Sequence, residues 1–160
     1  MKMTNLLFAI ALAGCAHLPS VSSADVKKLS QNSYVVEPAI FKKHVDNPIS
    51  LAKKVKVSTV RHKKTRKIVG YRLKKIEKGS IIDRIGFKSG DVLYEINGKK
   101  LNSLDAVWAA YNEMKESSFF NVKFTRKVKK RVKRMSSNFR IGDKTNVATK
   151  TANLLIKTKE

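Results

Sequence analysis

The 160-residue chain is short of almost every residue that carries covalent or metal chemistry. It has one cysteine, so no disulfide can form within it, and no Cys/His cluster has the spacing of a metal site. The three histidines, at 17, 44 and 62, are scattered, and none accompanies a serine and an acid in a triad-like pattern. We therefore expect no enzyme, no metal and no cofactor. Three prolines and seven glycines exclude a collagen-like or low-complexity chain. No apolar run approaches the roughly 20 residues of a membrane-spanning helix. Acidic residues are the other scarcity: 12 stand against 35 basic ones, for a net charge of +23. Such a charge selects anionic partners and says nothing of fold. At 42% hydrophobic, the chain still supports one small core.

What is present begins with compartment. Lys2 precedes the apolar run Leu6–Ala13, which is long enough for a secretory signal and too short to span a bilayer. Leu12-Ala13-Gly14-Cys15 resembles a bacterial lipobox. The resemblance implies cleavage before Cys15, a thioether-linked diacylglycerol on its sulfur and acylation, palmitate included, of the new amine. Several acyl chains anchor stably where one does not. Ala16, being non-acidic, implies the outer membrane. Residues 1–14 are then a signal peptide and the mature chain faces the periplasm. Export separates the basic surface from the chromosome, so nucleic acid is not an expected partner.

Residues 15–36 are serine-rich and read as a flexible tether. Residues 37–54 read as a helical lead-in, broken at Asn47-Pro48. Lys54–Val60 alternates as a strand does, and Ile68–Ile76 is a second strand candidate. Ser80, Asp83 and Gly86 punctuate a short helix. Asp91–Ile96 is a strand closed by Asn97-Gly98, a pair suited to a type I′ turn. Asn102 or Ser103 caps a helix to about Lys115. Its stripe Leu104, Val107, Trp108, Tyr111 and Met114 repeats at helical spacing. Phe119–Met135 reads as a hairpin reversing near Lys127–Lys129. Residues 137–160 carry no strong pattern and read as a mobile tail.

In that order, Gly70-Tyr71-Arg72-Leu73, Gly79-Ser80 and the block Gly86 to Gly98 (Gly-Phe-Lys-Ser-Gly-Asp-Val-Leu-Tyr-Glu-Ile-Asn-Gly) resemble a PDZ domain. The stretch from about Phe41 to Gly98 is similar to the periplasmic PDZ part of component C of the type II secretion system. The resemblance implies an α+β fold: a small, partly open barrel or sandwich of five or six strands at 55–136, with one short and one longer helix. That family also carries a transmembrane helix and a separate β-domain. Here a lipobox and a tether stand instead, so the expectation is an accessory or relative of the secretion component.

A PDZ domain binds an extended peptide by strand addition beside its longer helix. The resemblance places the peptide on Tyr71–Ile76 as an exposed edge, with any terminal carboxylate on N–H groups near Val69–Tyr71. The expected groove residues are Val69, Gly70, Tyr71, Arg72, Leu73, Val107 and Tyr111. Leu104, Trp108 and Met114 are assigned to the core, although all five stripe residues also fit a plain core. The expected partners are envelope peptides or proteins, secretion components or exported proteins among them, with the membrane engaged through Cys15.

The alternative is a lipid-anchored basic structural protein that holds anionic envelope polymers or lipids. It rests on charge segregation: Lys53–Lys67 holds eight cations and no acid, Lys123–Arg134 eight in twelve residues, while Glu77–Glu116 has seven acids and six bases.

Overall fold

A computed structural model describes residues 25–142. In chain order the elements are β1 (Val26–Ser30), β2 (Ser33–Val36), α1 (Pro38–Val45), α2 (Pro48–Lys53), β3 (Val55–Arg61), β4 (Ile68–Ile76), α3 (Ile81–Arg84), β5 (Val92–Ile96), β6 (Lys99–Lys100), α4 (Leu104–Glu116), β7 (Phe119–Val128) and β8 (Arg131–Ile141). The strands form one open sheet in the order β1-β2-β8-β7-β5-β4-β3, with the two-residue β6 beside β5. Every pairing is antiparallel except β2 with β8. The class is α+β, as expected. Among the described residues no helix is long and apolar enough to cross a membrane.

Local chemistry sets the helix ends. Pro38 and Pro48 open α1 and α2, where a missing N–H costs nothing. The Asn47 side chain accepts from Ser50 N at 3.0 Å. Ser80 and Asp83 form a reciprocal cap on α3: Asp83 N donates to Ser80 Oγ at 3.4 Å, and Gly79 N to Asp83 Oδ2 at 2.8 Å. Ser103, not Asn102, caps α4, accepting from Ala106 N at 3.0 Å. Asn97 and Gly98 both have positive φ, as a type I′ reversal requires.

One sheet face carries the core. Leu73, Phe120, Val122 and Phe124 pack with Phe41 and Val45 of α1 and Ile81 of α3. Phe139, fully buried, stacks on Phe120 at 4.8 Å and Tyr34 at 5.6 Å, with Phe87 at 5.9 Å. Beneath this cluster lies an ion pair. Asp91, 1% exposed, accepts from Arg126 Nε at 2.8 Å and from the other guanidinium arm at 2.6 Å. Arg126 also donates to the Gly86 carbonyl at 2.8 Å, and Lys88 N donates to Asp91. The carboxylate's hydrogen bonds hold the guanidinium pKa above its usual value, against the opposing effect of burial.

Two boundaries differ from the sequence reading. Residues 25–36 are not a tether: β1 and β2 extend the sheet, and Tyr34, Val35 and Val36 are buried. β2 is buried throughout its Tyr34–Val36 run, so it lacks the period-two alternation of a half-exposed strand. Likewise residues 137–141 are not a tail, because β8 runs to Ile141 and delivers Phe139 to the core. The added hairpin and β6 bring the strands to eight. The β7–β8 reversal falls at Lys129-Lys130, a little later than expected, with Lys129 at φ 55°. The expectations for residues 1–14, for Cys15 and Ala16, for the tether up to residue 24 and for 143–160 lie outside the described residues.

Two outcomes follow. Arg126→Met strands the Asp91 carboxylate in the interior, so denaturant unfolding should show a loss of about 3–5 kcal/mol. Tyr34→Ala removes an aromatic ring from the core and should cost a comparable ~3–5 kcal/mol. A tether would tolerate that change with no shift in the midpoint.

Candidate functional site

The cross-strand registers sort the sheet into two faces. Thr59, Tyr71, Leu93, Phe124 and Met135 stand in one row, and the burial of Phe124 puts that row on the helical side. Ser58, Arg72, Val92, Thr125 and Arg134 form the adjacent row, which faces away from the helices.

This parity divides the expected groove residues. Tyr71 and Leu73 belong to the helical face, whereas Val69 falls at an irregularity of the β3–β4 register and lines the cleft on the opposite face. Gly70 and Arg72 belong to the opposite face. Leu73 is buried in the core.

The strand expected to receive a peptide is not an edge. β4 lies between β3 and β5. It pairs with β3 along its length and with β5 at Tyr71 and Arg72. Leu73 closes the seam: its N donates to Asp91 O at 2.9 Å, and its carbonyl accepts from Gly90 N at 2.6 Å. No strand can add across Tyr71–Leu73. Gly70 serves the same seam, since a Cβ there would stand 2.6 Å from Leu93 O. Its missing side chain admits β5, not a ligand carboxylate.

The open edge beside the helices is β3. α4 runs antiparallel to it, fixed at both ends. At its start Asn102 shares a cleft of about 590 Å³ with Arg61, His62, Thr65, Lys67, Ile68 and Val69, at the β3–β4 reversal. Further along, the Tyr111 hydroxyl donates to the Val45 carbonyl. Lys115 Nζ lies 3.7 Å from Asp46, on the segment that leads into β3. Burial raises the Tyr111 pKa, and the Asp46 charge adds to the rise. Glu113 ties α4 to the turn after β5, through Lys99 and Asn97. The hydrogen bond from Lys99, then that from Asn97, lowers the Glu113 pKa.

Between these anchors, apolar side chains stay in solvent. Leu104 is 62% exposed, Trp108 49%, Val57 of β3 50% and Val69 45%. Leu104 and Trp108 are thus not core residues. α4 buries only Ala110, with Met114 packed against the cluster, and turns its Leu104–Trp108 side outward. Trp108 rests edge-on against Tyr111, ring centres 5.7 Å apart. The sequence reading missed Val57 because it took Tyr71–Ile76 for the exposed edge. A free edge depends on non-local pairing, which strand periodicity does not encode. Among the described residues no three His, Cys, Asp or Glu side chains gather to hold a metal.

Gly70→Val should therefore act on the fold, splitting β4 from β5. Hydrogen exchange should show lost protection at Tyr71–Leu73 and Leu93, with a lower thermal midpoint. Retained protection would place Gly70 in a purely ligand-facing role.

No protein-family model and no curated protein matches the chain. Among solved structures it is similar to the PDZ domain of EpsC from Vibrio cholerae, residues 204–305, at 22% identity. That match covers 63% of this chain and 92% of that one, with a TM-score of 0.45. A shorter form of the same domain, residues 219–305, gives 19% identity, coverage of 57% and 98%, and a TM-score of 0.42. The PDZ domain of the pullulanase C protein of the type II secretion system from Klebsiella pneumoniae, in complex with fatty acid, gives 17% identity, coverage of 62% and 97%, and a TM-score of 0.41.

Proposed function

We propose that the protein is a non-enzymatic, PDZ-like module of the bacterial envelope that binds an extended peptide or protein segment by adding it to the free edge of β3. The observation that carries this reading is the lane between β3 and α4. It is bounded by an unpaired strand edge and by a helix presenting Leu104 and Trp108 to solvent. An incoming strand gains main-chain hydrogen bonds along β3, and alternate side chains meet Val57, Trp108 and Leu104. Single exposed apolar residues are ordinary. Several flanking one open edge mark a binding surface.

The lipobox pattern at Leu12–Cys15 supports lipid anchoring on the periplasmic side, and Ala16 supports the outer membrane. Ten residues separate Cys15 from Val26 and reach at most about 35 Å. An anchored domain thus works close to the bilayer. The Gly70–Gly98 motif supports kinship with component C of type II secretion, as a relative or accessory engaging secretion components or exported proteins.

The test compares wild type with Val57→Asp and Trp108→Ala in crosslinking pulldowns from membranes, followed by peptide titration. Both side chains are half exposed, so thermal midpoints should stay within a few degrees. Peptide affinity should fall at least tenfold. Unchanged capture by both variants would remove the β3–α4 lane as the working surface; capture stripped by salt would favour the basic face instead. In the anchoring arm, Cys15→Ser should move the protein from the membrane to the soluble periplasmic fraction.

A further inference from the structure

The helices cover one face of the sheet, and a cleft of about 930 Å³ occupies the opposite face. That volume falls within the roughly 300–1,000 Å³ of small-molecule sites. Its floor is apolar: Val60, Val92, Tyr94, Leu101 and Val132 line it, and Val132 is 69% exposed. Its rim is cationic, with Arg72, Lys100, Lys127 and Arg134. The two arginines stand in one cross-strand row, Arg72-Val92-Thr125-Arg134, on either side of Val92 and Thr125. Three strand spacings put their backbones about 14 Å apart across the floor. The lining includes one acid, Glu95, which is bound by Lys123 at 2.6 Å. Among the described residues no carboxylate pairs with the four rim cations.

The chemistry of the floor decides the class of ligand. β5 and β7 are each paired on both sides, so their backbone N–H and C=O groups are engaged in the sheet ladder. An extended peptide lying on this face finds no ladder to join, and its own polar backbone would be desolvated without partners. An acyl chain makes no such demand. A phosphate head matches the fork of a guanidinium, which binds it through two parallel hydrogen bonds. We propose that this cleft binds a phosphate-headed, single-chain amphiphile, with the chain on Val92 and Val132 and the head on Arg72 or Arg134. This site lies on the side of the sheet away from the helices, and it meets the cleft at the β3–β4 reversal only at Ile68, Val69 and Asn102.

The experiment titrates the isotope-labelled protein with dodecyl phosphate below its micellar concentration and follows backbone amide shifts. Saturable shifts at Val92, Thr125 and Val132 are expected. The double variant R72Q/R134Q should weaken binding at least tenfold, as should Val132→Asp, which keeps every cation. All these side chains are partly or largely exposed, and unchanged melting curves will confirm the fold. Dodecyl maltoside, which lacks the anion, should bind at least tenfold more weakly. The proposal is overturned if inorganic phosphate alone reproduces the shifts, if the double variant binds as wild type does, or if the shifts fall on Val57 and α4. It is also overturned if phosphatidylglycerol vesicles bind while the monomeric amphiphile does not, which would mean a membrane-docking face, or if an acidic peptide shifts the same amides with equal or higher affinity.

Discussion

The buried pair of Asp91 and Arg126 holds together parts of the chain that sequence order keeps apart. Asp91 immediately precedes β5, Arg126 lies in β7, and the guanidinium also takes the Gly86 carbonyl at the exit of α3. With that loop pinned, Phe87 is delivered onto Phe124, 5.2 Å between ring centres, and Arg126 sits 5.1 Å over the same Phe124 ring. Gly86 is pressed under Tyr34 so closely that a Cβ would fall 2.0 Å from its hydroxyl oxygen. The N-terminal hairpin is thereby seated by the same loop that the ion pair fixes. Burying two charges is expensive, and the pair gains little over an apolar substitute. What it confers is a single arrangement, because among the described residues no other carboxylate pairs with Arg126.

Elements with local punctuation were legible in the sequence. Ser80 with Asp83, Asn97 with Gly98, and Asn47 before Pro48 each specify a cap or a turn through contacts within four residues, and the structure places them accordingly. The misses were non-local. β2 has four residues, and its Tyr34-Val35-Val36 run is buried, so neither length nor alternation marked it. Its partner is β8, about a hundred residues on, in the sheet's one parallel pairing. The Ser136-Ser137-Asn138 stretch of β8 has poor strand propensity and is held by that pairing. Serine content suggested a tether, whereas packing against Phe139 made a strand.

The groove shows the same division at the level of single residues. The strand and the amphipathic helix were both legible from their periodicity. The identity of the free strand was not legible. Alternation assigns side chains to faces but says nothing of which neighbour pairs with which edge. Gly70 illustrates the consequence: a glycine at a strand start fits both a ligand approach and a close strand approach, and only the neighbour Leu93 distinguishes them.

The two ends of the sheet make the functional asymmetry physical. An unpaired edge invites another strand, and folded proteins blunt such edges with short strands, bulges and lysines. β1 uses all three devices: five residues, a register shift between Lys28 and Ser30, and two exposed lysines. β3 is longer, and its two irregularities with β4 lie near its ends, leaving the Val57–Val60 stretch regular. Only Lys56 and Arg61 charge that strand. An edge so lightly protected would be an aggregation hazard if it opened onto free solvent. α4 stands on the helical side of that edge, its start at the β3–β4 reversal and its Tyr111 on the Val45 carbonyl. The contrast between a β1 edge blunted in three ways and a β3 edge left regular beside exposed Val57, Leu104 and Trp108 is what singles out one side of the sheet as the place where an added strand meets least resistance.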